Sequence, residues 1–196
     1  MVYWNFGPPE RLKVVVSNDG GVTFSAPKVI TNVTRYVPPN IRSGVFLPAA
    51  SGDRTNPNLY VVYQALQSGL PRILFTKSSD AGVTWSTPIA ISNNPTNSGV
   101  FNPAIAASPH GQTLTAAFYD QRNNPGSTTR VDMYLAQSFD SGATWQPNIR
   151  LTSVSSDASL APLTSEGCML GDYLGPAETR DVNVPGGPDL GGYTDR

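Results

Sequence analysis

Among 196 residues there is one cysteine, one histidine, three lysines and three glutamates. With Cys168 alone, no intrachain disulfide can form and no cysteine-based metal centre can assemble. Cys168 therefore reads as a small buried hydrophobe rather than a nucleophile. His110, in Ser108-Pro109-His110-Gly111, reads as a loop residue rather than a base or a metal ligand. Charged residues make up only 14%, with 13 basic and 14 acidic side chains and no dense run of either sign. A nucleic-acid surface needs a basic stripe, so no nucleic-acid partner is expected. No segment approaches the roughly 20 apolar residues that cross a bilayer, so no membrane span is expected. No window reads as a long amphipathic helix, and no phosphate-cradling glycine loop opens one after a strand. A nucleotide, flavin or metal cofactor is not expected.

Turn formers are plentiful. The chain holds 18 glycines and 18 prolines beside 39% hydrophobic residues. That mixture is too apolar for disorder and too broken for a helical protein. Short β-rich runs alternate with Gly/Pro/Asn/Ser/Asp clusters, the pattern of an all-β sandwich, barrel or propeller.

One phrase is written three times. Ser17-Asn18-Asp19-Gly20-Gly21-Val22-Thr23-Phe24 returns as Ser78-Ser79-Asp80-Ala81-Gly82-Val83-Thr84-Trp85, and again as Ser138-Phe139-Asp140-Ser141-Gly142-Ala143-Thr144-Trp145. The copies of S-x-D-x-G-x-T-(F/W) begin 61 and 60 residues apart. A second phrase, Ser43-Gly44-Val45-Phe46-Leu47-Pro48-Ala49, recurs 55 residues later as Ser98-Gly99-Val100-Phe101-Asn102-Pro103-Ala104. A fixed period implies stacked supersecondary units.

Each box lies between two strand-like runs. Leu12–Val16 and Ala26–Ile30 flank the first, Arg72–Thr76 and Pro88–Ile91 the second, Val131–Ala136 and Asn148–Leu151 the third. The box is therefore expected to be a hairpin turn. Gly21, Gly82 and Gly142 supply positive φ, the Asp carboxylates accept backbone N–H groups, and Phe24, Trp85 and Trp145 fold back onto the hairpin. Three near-identical copies point to a scaffold element rather than to one active site or a calcium loop. Two further strands precede the later hairpins: Val45–Ala50 with Leu59–Tyr63, then Phe101–Ala106 with Leu114–Tyr119. Four antiparallel strands per radially repeated unit make a β-propeller blade.

The phrase S-x-D-x-G-x-T-W closely resembles the Asp-box, or bacterial neuraminidase repeat, of the sialidase-like propellers. The runs Phe118-Tyr119-Asp120-Gln121-Arg122-Asn123-Asn124-Pro125 and Gly171-Asp172-Tyr173-Leu174-Gly175 also look like sialidase-like repeat proteins. The resemblance implies about three four-stranded blades in units near 1–32, 43–93 and 98–153, with an incomplete one at 166–196. It places the boxes between third and fourth strands, away from the active site. Before the first box there is room for a second strand, Val2–Asn5, but not a first. Met169–Ala177 and Leu190–Thr194 would begin a fourth unit. Three blades make too tight a ring, so the chain is expected to be part of a longer propeller, or to pair as a homodimer into a six-bladed one.

By the same resemblance, a sialidase site needs three arginines for a carboxylate, a Tyr–Glu nucleophile pair and an Asp acid/base. Arginine grips carboxylates with two parallel bonds, and tyrosine needs a neighbouring base before it can attack. Asp120, Arg122, Tyr173, Glu178 and Arg196 are the catalytic candidates. Arg42, Arg130 and Arg180 are further arginines, and Glu10 and Glu166 are the remaining glutamates. The family's Arg-Ile-Pro signature is absent, Asn40-Ile41-Arg42-Ser43 standing in its place. Tyr119-Asp120-x-Arg122 and Tyr193-Thr194-Asp195-Arg196 also read as strand-end ion pairs holding adjacent blades. Two functions stay open: an exo-acting glycosidase completed by further blades, or a non-catalytic propeller binding glycans or proteins. A carbohydrate ligand and a secreted or cell-surface location are the expectation. Met1-Val2-Tyr3-Trp4 has neither the charged nor the apolar region of a signal peptide.

Overall fold

A computed structural model describes residues 1–42, 47–95, 98–171 and 174–175. The predicted residues Tyr173, Glu178, Arg180 and Arg196, the run Leu190–Thr194 and the Tyr193–Arg196 pair lie outside them. The described chain is all-β. β1 (Val2–Asn5), β2 (Arg11–Val14) and β3 (Lys28–Asn32) form a three-stranded antiparallel sheet, with Val2 opposite Val14 and Arg11 opposite Asn32. A short β4 (Ile41–Arg42) follows. β5 (Ala49–Gly52), β6 (Leu59–Gln67), β7 (Leu70–Ser78) and β8 (Ile89–Ala90) make a four-stranded meander. β9 (Val100–Ala107), β10 (Leu114–Asp120), β11 (Arg130–Ser138) and β12 (Ile149–Arg150) repeat it, with β13 (Ser156–Asp157) added beside the start of β11. These are blades of a β-propeller, the first with no innermost strand among the described residues.

The period of the strands explains the packing. In β6 every residue from Tyr60 to Ala65 is buried, because both faces of the sheet are covered. Val61, Tyr63 and Ala65 face the first blade and pack with Trp4 and Leu12. Tyr60 and Val62 face the third, packing with Phe75, Leu114 and Phe118. A continuous apolar run such as Leu59-Tyr60-Val61-Val62-Tyr63 thus marks a strand sandwiched between blades.

The boxes connect β2 to β3, β7 to β8 and β11 to β12, and their bonds repeat almost to the tenth of an ångström. Ser17 Oγ donates to Asp19 Oδ1 at 2.7 Å; Ser78 and Ser138 do the same to Asp80 and Asp140 at 2.8 Å. The glycine N–H of each box donates to its serine Oγ at 2.8 Å. Thr23, Thr84 and Thr144 give their N–H to one carboxylate oxygen and their hydroxyl to the other. Two successive residues adopt positive φ, including Ala81 (58°) and Ser141 (56°) ahead of Gly82 (86°) and Gly142 (78°). That is the twist a tight hairpin demands.

The structure departs from the sequence reading at three places. Phe24 is 54% exposed rather than folded back, whereas Trp145 meets Phe75 edge-on at 5.0 Å and Trp85 packs against the core between the first two blades. The innermost strand of the middle blade runs Ala49–Gly52, with Leu47 and Pro48 outside it and Val45 and Phe46 beyond the described residues. The segment from Met169 does not start an antiparallel blade within the described residues. β14 (Leu163–Thr164) instead pairs with β15 (Gly167–Met169), which lies parallel to β4 with Cys168 opposite Ile41. Ile41, Phe101, Val131, Ala158 and the buried Cys168 form the small core that attracts it.

Candidate functional site

In an antiparallel meander, the turns after first and third strands gather at one end and those after second and fourth strands at the other. The three boxes occupy the first end. So does His110, in the β9–β10 turn, 3.4 Å from the Thr55 hydroxyl. The opposite end carries the links 33–48, 91–99 and 121–129, which differ from blade to blade in length and composition.

Asp120 closes β10 at that variable end. It is fully buried and accepts Ser98 Oγ at 2.9 Å, the Arg122 N–H at 2.7 Å and the Arg122 guanidinium at 2.6 and 2.8 Å. Arg122 extends further. Nη1 donates to Asn93 Oδ1 at 2.7 Å, Nη2 to Asn148 Oδ1 at 3.2 Å, and its carbon lies 4.2 Å above the Tyr134 ring. Asn148 in turn meets the Asn93 N–H and the Ile91 carbonyl. Arg122 therefore ties the exit of the middle blade to the third blade. Most of its donors are engaged within the chain.

A second buried carboxylate lies one strand away. Asp132 accepts from Arg150 (2.7 Å), Thr152 (2.9 Å), Asn123 (3.0 Å), Ser155 (3.1 Å) and Asn124 (3.2 Å). Burial alone would raise its pKa, but these donors, Arg150 foremost, hold it below the usual carboxylate range. The effect is to pin the 121–129 loop to the end of the third blade.

Between these anchors and the first-blade link opens a cleft of about 290 Å³. Its lining comes from the first-blade link (Tyr36, Pro39), the start of β7 (Pro71), the lead into β9 (Ser98, Gly99) and the loop after β10 (Gln121 and 126–128). Gln121 is only 8% exposed, and its Nε2 has no hydrogen-bond partner among the described residues. A buried donor left so costs about 1–3 kcal/mol, which a ligand acceptor can recover. Burial pushes the Tyr36 phenol up to about 12, so it stays a neutral donor at ordinary pH. A Cβ on Gly99 would stand 2.3 Å from Gln121 Oε1 and 2.5 Å from the Tyr36 oxygen. Only glycine leaves room there for both of those side-chain ends.

Of the sequence candidates, Asp120 and Arg122 come together, Asp120 behind the cleft-lining Ser98 and neither of them lining the cleft itself. Arg42 lies on β4, 3.0 Å from Met169 Sδ and 3.9 Å from Glu166. Arg130 pairs with Asp157 at 3.9 Å, and Glu10 with Arg35 at 3.5 Å and the Trp4 indole at 3.1 Å. The structure does not bring these into one cluster. Tyr36, Gln121 and Asp132 were not singled out by sequence. The signal for Asp132 was a charge inside an apolar run, Val131-Asp132-Met133, since a buried polar residue is the informative exception.

No protein-family model matches the chain, and no curated relative does. Solved structures do resemble it. A Hadza microbial sialidase is 19% identical over 53% of this chain and 25% of its own, with TM-score 0.42. The α-L-arabinofuranosidase of Fusarium graminearum in complex with arabinobiose is 20% identical over 74% and 41%, with TM-score 0.46. The Penicillium chrysogenum α-L-arabinanase complexed with arabinobiose is 19% identical over 76% and 44%, with TM-score 0.48. The chain spans less than half the length of each of these proteins. The propeller assignment rests on the sheets themselves, and the likeness to carbohydrate-active propellers goes no further than fold.

Proposed function

We propose that this chain is a segment of a carbohydrate-binding propeller of sialidase-like build, with its glycan in the cleft beside Gln121. The observation that carries the reading is the cleft itself. It lies at the variable end of the blades and combines apolar faces with neutral donors and acceptors. Sugar sites have that composition, because a saccharide presents C–H faces and hydroxyls together. The described residues favour binding over turnover. Asp120 and Asp132 are buried and surrounded by donors, and Arg122 has little left with which to grip a substrate carboxylate.

Glycoside hydrolysis is the second reading, favoured by the paired Asp120 and Arg122 on either side of the cleft-lining Gln121. It would enlist Tyr173, Glu178 and Arg196 and further blades, from more chain or from a second copy forming a homodimer. An extracellular or cell-surface location belongs to the same proposal. The test is a glycan array together with a panel of fluorogenic glycosides, sialosides among them. Binding without turnover is the expected result. Turnover abolished by Arg122→Ala in a still-folded protein would favour hydrolysis, and neither binding nor turnover would end both readings.

A further inference from the structure

We infer that the cleft selects an uncharged sugar, with the Gln121 carboxamide and the Tyr36 hydroxyl reading its hydroxyl groups. The inference deepens the carbohydrate reading above and rests on it. None of the nine lining residues carries a charge. The neighbouring cations are turned elsewhere. Arg72 Nη1 donates to the Pro71 carbonyl at 2.8 Å, and Arg122 is spent on Asp120, Asn93 and Asn148. A carboxylate, sulfate or phosphate entering the cleft would shed water with no described cation to receive it, which is unfavourable. Hydroxyls ask for less. An amide offers a donor and an acceptor side by side, and a phenol offers either.

The two polar ends also converge. Both lie within 2.5 Å of the single point where Gly99 lacks a Cβ, so one sugar ring can meet both. Pro39 and Pro71 supply apolar surface for the ring's C–H face. Gln121 is held for the task by its backbone, whose N–H donates to the Gly99 carbonyl at 3.0 Å. Its Nε2, without a partner among the described residues, is left to a ligand acceptor.

The experiment is an array of neutral oligosaccharides with matched sialylated, uronic-acid and sulfated counterparts. It is probed with the 196-residue chain and with the Gln121→Leu and Tyr36→Phe variants. The neutral members should bind, and their charged counterparts should bind at least tenfold more weakly. Gln121→Leu should lower neutral binding about tenfold or more, and Tyr36→Phe several-fold, with melting temperatures within a few degrees of the parent. Equal or tighter binding of the charged counterparts overturns the selectivity while leaving the carbohydrate reading intact. Neutral binding untouched by both variants overturns the site. Binding to no glycan overturns the inference and the carbohydrate reading together. Tyr36→Phe removes a single oxygen, so it tests the site even if Gln121→Leu folds poorly.

Discussion

The two ends of the blades obey different rules. At one end the Ser, Asp, Gly and Thr of one eight-position phrase make the same bonds three times, with serine–aspartate distances of 2.7–2.8 Å. At the other, no two links are alike, and two buried carboxylates, Asp120 and Asp132, are each surrounded by a different set of donors. Repetition marks what holds each hairpin shut, and divergence marks where a ligand can be read. A motif found in every blade cannot by itself specify one site.

The largest way to break the comparison is at the variable end. Arg122→Ala leaves the Asp120 carboxylate buried without its main partner, and should cost about 3–5 kcal/mol in denaturant unfolding. At the repeated end, Gly142→Ala should cost about 2–4 kcal/mol. Its Cβ would fall 2.5 Å from the Phe75 ring and 3.2 Å from Leu114, at φ 78°. The matching Gly21→Ala meets nothing within 4 Å at φ 93°, so only backbone strain of about 1 kcal/mol is expected. Equal effects at the two glycines would show that the boxes do not depend on the blade before them.

Acid should loosen both ends. Asp19, Asp80 and Asp140 are held at about 2 and Asp132 below its usual value, all depressed in the folded state. Their contribution is present above the unfolded value near 4 and is lost as pH falls toward 2. The melting temperature measured from pH 5 to pH 2 should therefore drop, and a flat profile would count against the boxes as stabilisers. The smallest effect on stability is expected at Gly99→Ala, under about 1 kcal/mol, because the atoms it meets are flexible side-chain ends. Glycan binding should nonetheless fall, since the added methyl displaces the Gln121 and Tyr36 ends that face the cleft.

The scaffold was legible because local chemistry dictated it. The box residues fix a hairpin with bonds inside eight positions, and the continuous burial of β6 from Tyr60 to Ala65 follows from an almost wholly apolar run. The cleft was hidden for the opposite reason. Gly99 and Gln121 meet across the β9–β10 pair of the third blade, but Tyr36, from the link after the first blade, reaches them only through the fold. Gly99 did stand inside a phrase written twice, but repetition could not say that a phenol and an amide would converge on it. Phe24 misled for a related reason. Its twin Trp145 is covered by Phe75 of the preceding blade, and the first box has no such neighbour among the described residues.

That last contrast has a directional consequence. Gly142 and Trp145 rest on the blade before theirs, as Gly82 rests on Val16, so every junction joins two unlike surfaces in a head-to-tail sense. Such a contact regenerates, with each added wedge, the same surface it has just covered. The angular step at one junction then decides how many wedges complete a turn, and a ring can grow by gene duplication with no new interface to invent.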